Sequence, residues 1–133
     1  MIQGIGHLAF CVRDLDTALE FYMQKLGLRR LFHLGSDDAP WLVYLRVSHG
    51  QYIELFPEKE AAQREKQCFS HLCLQVTEIE QEVARLRALG VQVGDVSLGE
   101  DGNYQAWLAD PDGNRIELMQ MQPDGIQRTL DRE

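Results

Sequence analysis

Gly6-His7-Leu8-Ala9-Phe10-Cys11-Val12 and Ser70-His71-Leu72-Cys73-Leu74-Gln75-Val76 are one strand written twice. In both, apolar side chains alternate with a histidine and small or polar residues, the period of a strand with one buried face. Leu8, Phe10 and Val12 share one face and His7, Ala9 and Cys11 the other; the second copy sets Leu72, Leu74 and Val76 against His71, Cys73 and Gln75. A further duplicated stretch closes each copy: Tyr52-Ile53-Glu54-Leu55-Phe56 and Arg115-Ile116-Glu117-Leu118-Met119. The histidines stand 64 positions apart and the glutamates 63. The chain is therefore a tandem repeat, and the repeat decides the architecture.

Between these strands each copy carries helix signals. Asp14 reads as the N-cap of a helix whose Leu15, Ala18, Leu19, Tyr22 and Leu26 share a face. In the second copy Thr77, with Glu80 three residues on, reads as a capping box ahead of Ile79, Val83, Leu86 and Leu89. Gly27 and Gly90 fall where a helix-terminating glycine belongs. Strand-like stretches follow at 41–47 and 52–56 around Ser48-His49-Gly50, and at 104–109 and 115–119 around Asp110-Pro111-Asp112-Gly113-Asn114. Glu54 and Glu117 each lie between two apolar residues, so parity puts them on the face away from the helix, with the histidines. The expected layout is one domain over 1–121, made of modules 4–56 and 68–121. A charged, solvated linker at 57–67 joins them, and a polar tail follows at 122–133.

At 133 residues, 44% hydrophobic and 26% charged, the chain has room for one ordinary core or two small modules sharing one. Its net charge of −8 disfavours nucleic acid and anionic membrane surfaces as partners and favours a small-molecule substrate. Three cysteines without a CxxC pair argue against a disulfide framework or a cysteine zinc site. Met1-Ile-Gln-Gly has neither the basic nor the long apolar segment of a secretory signal, and a cytoplasmic location is expected.

Two imidazoles and two carboxylates on like faces of a duplicated sheet are a donor set for one divalent transition metal: nickel, zinc, cobalt, iron or manganese. His7, Glu54, His71 and Glu117 are the candidate ligands. Cys11, Tyr52, Phe56, Cys73 and Met119 share those faces and are the candidate pocket lining. The bland alternatives are a satisfied strand histidine and a solvated strand glutamate, and they weaken when all four positions recur together. His33 and His49 have no counterpart in the other copy and read as surface residues near loops. Trp41, Tyr44 and Trp107 offer pocket walls or, more commonly for strand aromatics, core.

These residues carry a resemblance. The chain resembles the vicinal oxygen chelate superfamily, the group of glyoxalase I, bleomycin resistance proteins and extradiol dioxygenases, over residues 4–121. Its markers are His7 with Val12-Arg13-Asp14-Leu15-Asp16, Phe21-Tyr22 ahead of Leu26-Gly27-Leu28, Ile53-Glu54-Leu55, His71, and the run from Asp110 to Leu118. The resemblance implies an α+β fold of two tandem βαβββ modules whose curved mixed sheets enclose a metal, and a homodimer. It implies that His7, Glu54, His71 and Glu117 bind the metal. It further implies a glyoxalase I-like lyase or isomerase acting on a substrate such as a hemithioacetal. There a glutamate, Glu117 ahead of Glu54, moves a proton between adjacent carbons through a metal-stabilised enediolate. Two positions depart from glutathione-dependent members: Cys11 stands for an arginine and Glu58 for an asparagine. The other readings open to the same scaffold are an extradiol-type iron dioxygenase, a fosfomycin-modifying enzyme and a bleomycin-type binding protein without catalysis.

Overall fold

A computed structural model describes residues 1–62 and 67–131, and the remainder of the linker and of the tail lies outside the described residues. The chain divides into two compact units, Met1–Gln63 and Arg64–Glu133.

In the first unit β1 (Leu8–Val12) leads through Asp14 into α1 (Leu15–Leu19), and the Asp14 carboxylate accepts from the Thr17 backbone N–H at 2.8 Å. The helix widens into a π-helical segment, Glu20–Lys25, in which Leu26 N–H reaches back to Phe21 C=O at 2.9 Å. That wider turn lets Phe21 and Tyr22 both bury, although a 3.6-residue period faces only one of them inward. Gly27, at φ +79°, ends the helix in the left-handed conformation that its position requires. Three strands follow, β2 (Arg29–Gly35), β3 (Pro40–Ser48) and β4 (Gln51–Pro57), in a sheet of order β1-β4-β3-β2. Only β1 and β4 run parallel. Phe10, Val12, Val43, Leu45, Ile53 and Leu55 form the core with Ala18, Phe21 and Tyr22.

The second unit repeats this plan with β5 (Leu72–Gln75), α2 (Ile79–Ala88), β6 (Ser97–Leu98), β7 (Tyr104–Ala109) and β8 (Arg115–Gln120), in the order β5-β8-β7-β6. Its core joins Leu72, Ile116, Leu118, Ala106 and Leu108 to Ile79, Val83 and Leu86. Gly90 closes α2 at φ +83°, with Val91 N–H bonded to Leu86 C=O and Gly90 N–H to Arg87 C=O, a Schellman end. Each unit is thus a βαβββ module, and the α+β class holds.

Several expectations are corrected. Thr77 and Glu80 form no capping box: Glu78 occupies the cap at φ +48° without a side-chain bond, and Gln120 of β8 accepts from Ile79 N–H at 2.8 Å instead. Leu89 is exposed because the helix is already turning out at its end. The strands β2 and β6 lie where no strand was read, since their apolar residues are largely exposed and give no clean alternation. His33 belongs to β2 and is half-buried, bonded to Asp37 at 2.8 Å and to Arg30 at 3.0 Å, whereas His49 sits exposed in the β3–β4 turn. The tail contains a short helix, α3 (Ile126–Leu130). It is anchored by buried Asn103, which accepts from Gln122 N–H and donates to Gln127 Oε1. No helix among the described residues is long and apolar enough to cross a membrane.

Candidate functional site

Parallel pairing of the first and last strand of each unit is what brings histidine to glutamate. Ala9 lies opposite Glu54, and Cys73 opposite Glu117. Each histidine immediately precedes its strand, and its ring folds over the neighbouring glutamate. His7 Nε2 stands 3.1 Å from Glu54 Oε2, and His71 Nε2 stands 3.1 Å from Glu117 Oε2. The two units have built the same pair at the same distance.

The other ring nitrogen is held as well. The Tyr44 hydroxyl lies 3.2 Å from His7 Nδ1, and the Ser70 hydroxyl 2.8 Å from His71 Nδ1. Tyr44 also donates to the Glu54 carboxylate, which holds the phenol above its ordinary pKa. Glu54 is buried within the sheet, and Glu117 is half-buried.

Aromatic rings frame both pairs. Phe32 stacks on Tyr44 at 4.5 Å, Tyr44 lies 6.2 Å from Tyr52, and Trp41 lies 6.3 Å from Phe56. In the second unit Trp107 meets His71 edge-on at 4.7 Å, and the Arg115 guanidinium lies over the Trp107 ring, 4.5 Å from its centroid. Tyr44 and Trp107, read from sequence as pocket wall or core, are the nearest rings to the histidines. Their signal is register: Tyr44 lies opposite Glu54 and Trp107 opposite Glu117. Cys11 and Cys73 are exposed at the surface of the same faces, Tyr52 and Phe56 are half-buried, and Met119 is buried. Cys73 is nonetheless enclosed enough that burial, reinforced by the Glu117 charge and hydrogen bond, pushes its thiol up to about 11. Glu58 is engaged locally, its carboxylate accepting from Glu60 N–H at 3.2 Å.

The four candidate ligands therefore stand as two pairs, each within its own unit. Among the described residues no three or more His, Cys, Asp or Glu side chains gather as a metal-holding group. The pair geometry nonetheless suits one: neighbouring ligands at right angles, each about 2.1 Å from an ion, lie about 3.0 Å apart.

Several known proteins are similar to this chain along most of its length. A "Probable lactoylglutathione lyase" of Vibrio cholerae serotype O1 is 32% identical over 125 residues, 87% of this chain and 89% of that protein. "Glutathione transferase FosA" of Serratia marcescens is 25% identical over 124 residues, covering 89% and 81%. The crystal structure of a glyoxalase family protein from Enterococcus faecalis superposes with a TM-score of 0.78 at 23% identity, covering 89% of this chain and 98% of that one. The model of the glyoxalase/bleomycin resistance protein/dioxygenase superfamily matches residues 4–118. With that match spanning both βαβββ units and their histidine–glutamate pairs, the chain belongs to the glyoxalase/bleomycin resistance protein/dioxygenase superfamily.

Proposed function

We propose that this protein is a divalent-metal-dependent enzyme of the glyoxalase I type, a lyase or isomerase acting on a small oxygenated substrate such as a hemithioacetal. One observation carries the reading: imidazole Nε2 and carboxylate Oε2 face each other at 3.1 Å in both units, the spacing of adjacent ligands on one ion. His7, Glu54, His71 and Glu117 would hold the ion. Bound there, it would supply Lewis acidity that makes a C–H beside a carbonyl easier to ionise.

The chain's own residues would do the rest. Tyr44 and Ser70 orient the two imidazoles, as partners behind metal-binding histidines do. Glu117 is the better proton carrier of the two acids. Its additional partner is the Cys73 thiol, a weak donor, whereas Glu54 is buried and held by the stronger Tyr44 hydroxyl. Glu117 would take the proton from one substrate carbon and return it to the next, with Trp107 and Met119 restricting water beside it. The active form would be a homodimer, and light scattering should give the mass of two chains.

Elemental analysis of untagged protein is the deciding experiment. Nickel, cobalt or zinc bound stoichiometrically supports the proposal and directs assays to hemithioacetals of several thiols. Iron favours the dioxygenase reading. Thiol transfer is the second reading, since two similar proteins bear the names "Glutathione transferase FosA" and "Metallothiol transferase FosB". His7→Ala and Glu117→Gln should each abolish metal retention or turnover while preserving the circular dichroism spectrum. Full occupancy with full activity in both variants would sink the four-ligand reading.

A further inference from the structure

The register of the first sheet places a basic pair on the face that carries His7 and Glu54. Leu8 is level with Ile53, so His7 is level with Tyr52; Tyr52 pairs with Arg46, and Arg46 with Arg29. The next row runs Ala9, Glu54, Tyr44, Phe32. Ring contacts between Tyr44 and Tyr52 at 6.2 Å and between Phe32 and Tyr44 at 4.5 Å show that these rows present one continuous face. Arg46 shares its parity with Tyr44 and is half-buried, and Arg29 is its exposed cross-strand neighbour.

Like charges directly opposite on antiparallel strands destabilise a sheet. The chain has acids to spare, 21 against 13 basic residues. Yet among the described residues no ion pair or hydrogen bond engages either guanidinium. One half-buried and one exposed guanidinium without a counter-ion, set on a face lined by tyrosines, offer the paired donors that a planar or tetrahedral oxyanion accepts. At the opposite end of the same strands, past Cys11 and Phe56, stands the acid Glu58. The face is thus electrostatically polarised along its strands.

We propose that Arg29 and Arg46 form an anion subsite that takes the carboxylate or phosphonate of a small substrate. The body of that substrate lies over Tyr52 and Tyr44, and its far end reaches the His7–Glu54 pair. This rests on the proposed use of that face for substrate. Two strand spacings separate the Arg46 backbone from that of His7, about 10 Å, which an arginine side chain shortens to the length of a small organic acid. The anionic group is therefore remote from the reacting carbons and selects the substrate rather than taking part in its chemistry.

The test is calorimetric titration of metal-free protein with benzoate, phenylphosphonate and neutral benzamide, in the wild type, Arg29→Met and Arg46→Met. Expected is tighter binding of at least one anion than of benzamide, weakened about tenfold or more in either variant, with benzamide unaffected. The stronger of the two anions identifies the head group. Equal binding of anions and benzamide by the wild type overturns the proposal, as does unchanged anion affinity in both variants. Arg29 is exposed on an edge strand, so its variant remains informative if Arg46→Met fails to fold. Metal content measured on the same preparations separates the two readings. Wild-type protein that takes up no metal but binds anions through the arginines refutes the metalloenzyme alone. Metal uptake without anion selectivity refutes the subsite alone.

Discussion

Tyr44 is the residue on which the first histidine–glutamate pair depends. Its hydroxyl touches both His7 and Glu54, and neither its spacing nor its composition announces that in the sequence. Partners behind a metal-binding histidine typically contribute ten- to a hundredfold in affinity. Tyr44→Phe should therefore weaken metal binding by about tenfold in an isothermal titration, leaving the circular dichroism spectrum unchanged. Wild-type affinity in the variant would remove Tyr44 from the site. Cys73 offers a second check at this scale. With its pKa near 11, about one thiol in a thousand is ionised at pH 8, so iodoacetamide should label it far more slowly than an ordinary exposed cysteine. Glu117→Gln removes the charge that helps hold the pKa up and should speed that labelling in metal-free protein. Peptide mapping by mass spectrometry reads both rates.

Helix ends were partly readable, and the exceptions are instructive. Asp14, Gly27 and Gly90 act within a few residues of their own positions, so their identity and spacing sufficed. The start of α2 differs because its cap comes from Gln120, 41 residues away in sequence. Gln120→Ala should cost about 1 kcal/mol in urea denaturation by leaving Ile79 N–H without its partner, whereas Thr77→Ala should be close to neutral. The reverse ranking would restore the capping box. Strands β2 and β6 escaped the reading for another reason. An edge strand buries little of either face, and its backbone pairing alone leaves no mark on residue type.

At the scale of the molecule the two units repeat one energetic design, with a leucine beside the glutamate at the centre of each last strand. Leu55 is fully buried and Leu118 2% exposed. Leu55→Ala and Leu118→Ala should each cost about 2–5 kcal/mol, read as a lowered denaturation midpoint. A small loss in only one would show that its core collapses around the cavity. The sequence by itself determined the duplication, the strand–helix–strand–strand order that leaves out β2 and β6, the buried face of each central strand and the four histidine and glutamate positions. All of these follow from period, caps and identity along a single stretch of chain. Only the tertiary structure decided which groups surround those positions: Tyr44 and Ser70 behind the imidazoles, Trp107 beside His71, Gln120 on α2, and Arg46 opposite Arg29. These are meetings between strands whose register is set by turns, bulges and core packing, and such register is a property of paired backbones rather than of any one segment.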